Sequence, residues 1–223
     1  MTFDPELRAQ LSTQLQQILT ALPLTLPDSV QEKIIVYLEL LSRWNRAYNL
    51  TAITEPTEMI VKHIADSLTV APFLIAVFCE QNLTEMPIPS FLDVGTGAGL
   101  PGIPLALAFP KMHWTLLDSN GKKTRFLQQV KAVLDLNNVE IIQTRVEQFV
   151  PEQLFDGVIA RAWATLPEML EKTQHLYAAT GKLWAMKGTC PTIELEQLKL
   201  PYHVHRLNVP GLADARHLII VEP

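Results

Sequence analysis

The strongest constraint on this chain is the alternation of strand and helix patterns that begins at Phe91. Short apolar runs predict strands, and amphipathic runs between them predict helices, most clearly Pro104–Phe109 and Lys122–Leu136. Because parallel strands need crossover helices, this alternation predicts an α/β fold with a mostly parallel, doubly wound sheet. The predicted strands are Phe91–Val94, His113–Asp118, Val139–Gln143, Gly157–Ala160 and Lys182–Met186.

The two ends of the chain differ from this central pattern. Tyr202–Val209 and His217–Val221 predict a C-terminal antiparallel hairpin, which would complete a seven-stranded sheet. The residues before Phe91 have helical periodicity, with a capping box at Ser29–Glu32. A second helix is predicted to start near Pro56 and to turn four residues inward, namely Met59, Ile60, Ile64 and Leu68. Prolines in Leu83–Ser90 predict the junction, so we expect an N-terminal helical extension over residues 1–88 packed on a domain over residues 89–223.

Composition excludes several classes of protein. Of the 223 residues, 48% are hydrophobic and 18% charged, so the chain can bury a core and is not disordered. Its two cysteines, Cys79 and Cys190, cannot form a cysteine-based metal site, and the scattered histidines suggest no metal. Met1–Leu11 lacks a secretory pattern, and the longest apolar stretch, Val70–Cys79, is too short to span a bilayer. We therefore expect a cytoplasmic protein without metal or membrane contact. A monomer is the expected state, although the sequence leaves self-association open.

The chain has a net charge of −5, but one of its segments is basic. Between Lys111 and Arg145, six basic residues stand against three acidic ones, which gives that segment a net charge of +3. Lys122, Lys123 and Arg125 lie at the predicted start of a helix, where the macrodipole disfavours positive charge. A phosphate partner would explain this placement, and a solvated helix face explains it equally well.

The sharpest local signal is the glycine-rich segment Asp93-Val-Gly-Thr-Gly-Ala-Gly-Leu-Pro-Gly102, which follows the first predicted strand. It would lie at the carboxyl edge of the sheet, where open α/β folds bind ligands. The glycines Gly95, Gly97 and Gly99 allow close approach of the backbone to a ligand. Asp93 could meet the amino group of an amino-acid cofactor, and Asp118, ending the second strand, could hold ribose hydroxyls.

Two cofactors compete for this loop. Gly97–Gly102 fits the G-x-G-x-x-G pattern of nicotinamide enzymes. S-adenosyl-L-methionine is favoured because Asp93 directly precedes the glycines, as is typical of class I methyltransferases. In addition, Pro101 and Pro104 remove amides that a pyrophosphate would need. The nicotinamide enzyme remains the alternative, and a cofactor-binding protein without enzymatic activity is a third possibility.

Five segments together resemble one family. They are Arg43–Thr51, Lys62–Ser67, Phe91–Leu105, Leu116–Ser119 and Phe155–Ala162. The chain is similar, from about Pro27 almost to its end, to the bacterial small-subunit ribosomal RNA guanine-N7 methyltransferases, the RsmG (GidB) family. The resemblance implies a class I, Rossmann-like methyltransferase domain. Such an enzyme uses S-adenosyl-L-methionine to methylate a guanine of 16S rRNA near the decoding centre, in free RNA or in a small-subunit particle. Its cofactor contacts fall on Gly95, Leu100, Val146, Glu147 and Arg161.

The residues also restrict the chemistry. Where enzymes that methylate exocyclic amines carry an Asn/Asp-Pro-Pro-Tyr motif, this chain reads Ala160-Arg-Ala-Trp163. Cys190 follows the fifth predicted strand rather than the fourth, so it is not placed like the nucleophile of a pyrimidine C5 enzyme. Guanine N7 needs neither tool, because its lone pair is free in the ring plane and no proton leaves.

Specific roles follow for the candidate residues. Val146 and Glu147 would lie against the adenine, and Leu100 would close the pocket. Arg161, the candidate catalytic residue, would bind the cofactor carboxylate or guanine O6, with a surface ion pair as the alternative. Replacing Arg161 with Ala should then reduce methyl transfer far more than folding stability.

A second group of residues predicts contacts with RNA. The candidates are Arg43, Arg46, Lys122, Lys123 and Arg125, the first two accompanied by Trp44 and Tyr48. Trp44 itself continues an apolar helix face and is expected to pack in the core. His63, Asp66 and Ser67 share one helix face; they either line the entrance for the target or form a hydrogen-bonded structural cluster.

Overall fold

The computed structural model describes residues 3–79 and 88–223. The junction that we predicted at Leu83–Ser90 lies mostly outside these ranges. The boundary between residues 88 and 89 therefore stays a prediction.

Two long helices open the chain. Helix α1 (Pro5–Ala21) is capped by Asp4, whose carboxylate accepts a hydrogen bond from the Leu7 amide at 2.8 Å. Helix α2 (Asp28–Tyr48) starts directly after Pro27 and has no side-chain cap. The predicted capping box at Ser29–Glu32 is therefore wrong. Ser29 already lies inside the helix, whereas a capping residue must precede it.

The next helical run is broken into short pieces. Its parts are α3 (Pro56–Met59), a π-helix (Ile60–Ala65), α4 (Asp66–Leu68), α5 (Ala71–Leu74) and a second π-helix (Ile75–Cys79). The four predicted inward residues, Met59, Ile60, Ile64 and Leu68, are all buried. By length and apolarity alone, Pro56–Phe78 could cross a membrane, which Val70–Cys79 by itself could not; however, 61% of its most apolar window is buried inside the fold. The run therefore serves as core.

Seven strands form one sheet in the order β3-β2-β1-β4-β5-β7-β6. The strands are β1 (Ser90–Val94), β2 (His113–Leu117), β3 (Val139–Ile142), β4 (Phe155–Arg161), β5 (Tyr177–Lys187), β6 (Tyr202–Leu207) and β7 (Arg216–Val221). The first five are parallel to one another, whereas β7 runs antiparallel to both of its neighbours. The predicted doubly wound sheet and its closing hairpin are both confirmed. The remaining helices are α6 (Gly102–Ala108), α7 (Gly121–Leu134), a 3-10 turn (Val146–Gln148), α8 (Leu166–Thr173) and α9 (Thr192–Glu196).

Hydrophobic cores lie on both faces of the sheet. The larger joins the apolar residues of α1, α2 and the Pro56–Phe78 run to those of α6 and α7. The smaller packs α8 and α9 on the opposite face. Helix α2 also reaches the loop after β1, because the buried Tyr37 hydroxyl donates to the Ala98 carbonyl at 2.8 Å. The N-terminal helices therefore help to fix the loop at the carboxyl edge of the sheet.

Candidate functional site

The glycine-rich loop between β1 and α6 lies at the carboxyl edge of the sheet. Gly95, Gly97 and Gly99 have φ angles of 65°, 62° and 90°, which side chains rarely adopt. The amides of Gly95 and Thr96 donate to the Leu117 carbonyl at the end of β2. A Cβ atom on Gly95 would lie 2.5 Å from Cδ1 of Trp163, so the indole covers this glycine and leaves no space for a side chain.

Asp93 lies beneath this loop and holds it in shape. Its Oδ2 accepts hydrogen bonds from the Thr96 hydroxyl at 2.6 Å and from the Gly102 amide at 2.9 Å. Burial raises the pKa of this carboxyl to about 7, although both hydrogen bonds oppose that shift. Its Oδ1 is buried and has no hydrogen-bond partner within the described ranges. Asp93 is fully buried and does not line the hollow beside the loop, so its predicted contact with a cofactor amino group stays a prediction.

A polar hollow of about 450 Å³ opens beside the loop. It brings together four predicted cofactor residues: Gly95, Asp118, Val146 and Glu147. Asp118 is buried, and its carboxylate accepts hydrogen bonds from the amides of Gly97 at 3.0 Å and Asn120 at 2.8 Å. The other charged side chains of the wall are Lys123, Arg145 and Lys172.

The other predicted cofactor residues lie elsewhere. A Cβ on Gly99 would lie 2.5 Å from Cγ1 of Ile103 and 2.8 Å from Cδ2 of Leu127, so this glycine lets α6 and α7 pack closely. Leu100, which we expected to close the pocket, is buried and does not line the hollow. Gly97 contributes its amide to Asp118 rather than a surface to the hollow. The direct cofactor contacts of these residues stay predictions.

Arg161 lines a second cavity, of about 420 Å³. Its Nη1 donates to the carboxylate of Asp66 at 2.8 Å and to the Lys62 carbonyl at 3.1 Å. The other oxygen of Asp66 accepts a hydrogen bond from Nε of Arg216 at 3.1 Å. Asp66 is only 2% exposed, so these three residues form a largely buried ion triad rather than the surface ion pair that we considered.

This triad also changes the expectation for Arg161→Ala. Among the described residues, removing the guanidinium would leave the buried Asp66 with Arg216 as its only charged partner. A loss of stability should therefore accompany any loss of activity. Of the three residues predicted to share one helix face, His63 and Ser67 are buried with Asp66, and the Ser67 hydroxyl donates to the His63 carbonyl at 2.6 Å.

The sequence interpretation missed two residues of this region. Arg216 directly precedes the predicted last strand, and only the antiparallel direction of β7 brings it to this edge. Trp163 was read only as the absence of another motif, although it lies over Gly95 with the Lys172 ammonium 5.8 Å from its ring centroid. In both cases the signal was adjacency to a strand end, which does not say where the side chain points.

The predicted RNA residues are mostly on the surface. Arg43 and Arg46 of α2 and Lys122 and Arg125 of α7 are exposed. Lys123 instead lines the polar hollow, where its Nζ lies 3.4 Å from Asp118. Trp44, expected in the core, is half-buried, and its ring packs 5.7 Å from that of Phe126. Over residues 3–79 and 88–223, no cluster of three acidic, histidine or cysteine side chains could hold a metal.

The sheet order and the glycine loop after β1 define a class I methyltransferase. The METTL16 MTase domain has the same fold, with a TM-score of 0.60 and 12% identity over 86% of this chain and 80% of that chain. The plantazolicin methyltransferase BpumL, solved in complex with SAH, gives a TM-score of 0.55 and 13% identity over 86% and 98% of the two chains. Identities this low are informative about the fold alone.

Sequence similarity identifies the family. A sequence model of the family described as GidB, rRNA small subunit methyltransferase G, matches residues 30–219. The "Ribosomal RNA small subunit methyltransferase G" of Yersinia pseudotuberculosis is 47% identical over 212 residues, which cover 93% of this chain and 97% of that protein. The protein of the same name from Enterobacter sp. (strain 638) is 43% identical over 94% of this chain and 97% of that protein. The chain therefore belongs to the rRNA small subunit methyltransferase G family, as the resemblance predicted.

Proposed function

We propose that this enzyme transfers a methyl group from S-adenosyl-L-methionine to N7 of a guanine in 16S rRNA, near the decoding centre. The observation that carries the proposal is the polar hollow, in which Gly95, Asp118, Val146 and Glu147 meet beside the glycine loop. Membership of the family supports the reaction and its RNA substrate. The cytoplasm, where ribosomal RNA is available, is the expected location.

The residues of the hollow fit this cofactor. Asp118 would accept hydrogen bonds from the ribose hydroxyls, since a carboxylate has about four lone-pair sites and only some are used here. Val146 and Glu147 would flank the adenine. The cofactor's ammonium group would face Asp93, whose Oδ1 has no partner among the described residues but is buried outside the lining of the hollow. When bound, S-adenosyl-L-methionine supplies a methyl group on a positively charged sulfur.

The start of α6 argues against a nicotinamide dinucleotide. A pyrophosphate needs free amides at such a helix terminus. Pro101 and Pro104 have no amide hydrogen, the Gly102 amide donates to Asp93, and the Ile103 amide donates to the Gly99 carbonyl at 2.7 Å. All four amide positions at this terminus are therefore either missing or occupied.

For methylation at N7, the main task of the protein is to align the reacting atoms. The lone pair of N7 attacks directly, so no residue has to remove a proton. Holding N7, the methyl carbon and sulfur in line is worth about 7–11 kcal/mol in well-oriented reactions. The two cavities meet at Ala162, which lines both, so an acceptor in one would lie next to a donor in the other. Arg43, Arg46, Lys122 and Arg125 would contact the RNA backbone.

Two measurements test this function. Small-subunit particles from a strain that lacks this methylation should acquire N7-methylguanosine at one position when incubated with the protein and the cofactor. Borohydride reduction followed by aniline cleavage maps that base. Calorimetry should detect binding of S-adenosylmethionine but not of NAD, and Asp118→Asn should weaken it, whereas Asp135→Asn, at an exposed position outside the hollow, should not. Binding of NAD alone, or methylation of another atom, would contradict the proposal.

A further inference from the structure

The second cavity has a wall suited to a nucleotide. Arg161, Lys62 and Arg216 contribute positive charge, and a further lysine, Lys187, is paired with Glu194 outside the wall. Among the described residues of the wall, Asp66 is the one carboxylate, and two arginines share it. Ile53, Met186 and Leu207 supply an apolar surface. A nucleotide matches both features of the wall, because its flat base can pack on the apolar surface and its phosphates can pair with the positive charges.

Two polar side chains of this wall have nitrogen atoms that can still form hydrogen bonds with a ligand. Arg161 uses only Nη1, while its Nε and Nη2 donate to no residue within the described ranges. His63 is 5% exposed; its Nε2 is 2.9 Å from the Thr51 hydroxyl, but its Nδ1 has no partner among the described residues. Buried polar groups without partners are uncommon in folded proteins and point to a missing ligand or water.

The position of the cavity also matters. It meets the polar hollow at Ala162, which follows β4 and has a φ angle of 51° that is strained for alanine. This strained turn carries Arg161 on one side and Trp163 on the other, so it faces both cavities.

We infer that the second cavity receives the target guanine, that Arg161 donates a hydrogen bond to guanine O6, and that Lys62 and Arg216 contact the adjoining phosphates. This inference rests on the proposed function and assigns its acceptor site. In guanine, O6 is next to N7, so a base whose N7 faces Ala162 brings O6 toward Arg161. Adenine carries an amino group at that place, and a second donor would face the guanidinium.

The charge of Lys62 provides a first test with a matched control. Lys62 and Lys182 are similarly exposed, at 37% and 33%, and each pairs with one surface glutamate, but only Lys62 lines the cavity. Lys62→Gln should weaken particle binding and lower the slope of log affinity against log salt by about one. Lys182→Gln should leave both unchanged, and neither variant should alter cofactor affinity. Equal effects of the two variants would overturn the phosphate contact.

The volume of the cavity provides a second test. Ile53→Trp would fill the cavity from a half-buried position, whereas Val204→Trp adds the same ring at an exposed position on β6. We expect Ile53→Trp to reduce methyl transfer at least about tenfold with cofactor affinity intact. Full activity of Ile53→Trp would exclude this cavity as the acceptor site. If the wild-type protein methylates no guanine, the proposed function fails instead, which separates the two outcomes.

The contact with O6 is tested by binding. Wild-type protein should bind particles with the target guanine about tenfold more tightly than particles with adenine at that position. Arg161→Gln should lose this preference. A variant that retains the preference would show that another group recognises O6, and thermal unfolding would verify that the variant is folded.

Discussion

The two cavities at the carboxyl edge of the sheet are built in different ways. The polar hollow is shaped mainly by backbone, through a loop whose glycines adopt left-handed conformations and whose amides are held by Asp93 and Asp118. The second cavity is shaped by charged side chains, through the triad of Asp66, Arg161 and Arg216. The first should therefore be sensitive to backbone geometry, and the second to loss of charge.

The largest expected effect concerns backbone geometry at Gly95. Gly95→Ala should lower methyl transfer by roughly 100-fold, because the new Cβ would have to displace Trp163 at the edge of the hollow. Gly211→Ala is the matched control: its φ is also positive, at 81°, but the nearest atom to the new Cβ, on Val61, lies at an ordinary 3.4 Å. Both variants should lose about 1–2 kcal/mol of stability from the strained backbone. Only Gly95→Ala should lose activity in a tritium-transfer assay.

The next largest effect concerns charge in the triad. Asp66→Ala would leave the guanidinium groups of Arg161 and Arg216 facing each other without their shared carboxylate. The free energy of unfolding should fall by about 3–5 kcal/mol. Glu222→Gln, which removes the exposed partner of Lys182, should give no measurable change in urea unfolding. An equally small loss in Asp66→Ala would mean that the triad does not organise the second cavity.

A third prediction uses the titration of Asp93. Burial raises the pKa of this carboxyl from 3.8 to about 7, so the folded state binds more protons than the unfolded state between these values. The contribution of Asp93 to stability is therefore greatest below the lower value and is lost as pH rises to the upper one. As pH rises over this range, the free energy of unfolding of Asp93→Asn should increase relative to that of wild type. Above the upper value, the difference between the two proteins should be constant. Urea unfolding at several pH values measures this, and a difference independent of pH would contradict it.

The smallest effect belongs to His63 and has the opposite sign. Burial, together with the positive charge of Arg161, lowers the pKa of this imidazole from 6.5 to about 4. The folded state binds fewer protons than the unfolded state in that window, so stability is lost as pH falls through it. His63→Gln removes this titration, so wild type should lose stability relative to the variant between these two pH values. The same unfolding series tests the sign, and parallel curves would exclude a buried neutral imidazole.

The same contrast explains what could be predicted from the sequence. The residues of the hollow could be predicted because their sequence signals are contiguous: the glycine loop and Asp118 each directly follow a recognisable strand. The triad joins residues 95 and 150 positions apart, and periodicity does not specify partners at such distances. The direction in which a side chain points could not be predicted from the sequence either. Lys123 shares a basic run with Lys122, yet it turns into the hollow.

Element types were easier to predict than their ends. All seven strands were expected, but β5 starts at Tyr177 rather than at Lys182. Its first residues are half-buried or exposed and lack the continuous apolar run that signals an interior strand. The capping box failed for a related reason, because the Ser-x-x-Glu pattern fits a position inside the first turn of α2 as well as one before it.

The reversed direction of β7 has a consequence for how target choice could change in this family. Because β7 runs opposite to the parallel strands, residues 208–215 join β6 to its first residue at the same edge as the two cavities. Within this connection Gly211 faces Val61 of the helical run. Insertions there would alter what surrounds an incoming nucleotide while leaving the glycine loop untouched. With the acceptor site inferred above, changes in this connection would affect the contacts of the incoming nucleotide separately from those of the methyl donor.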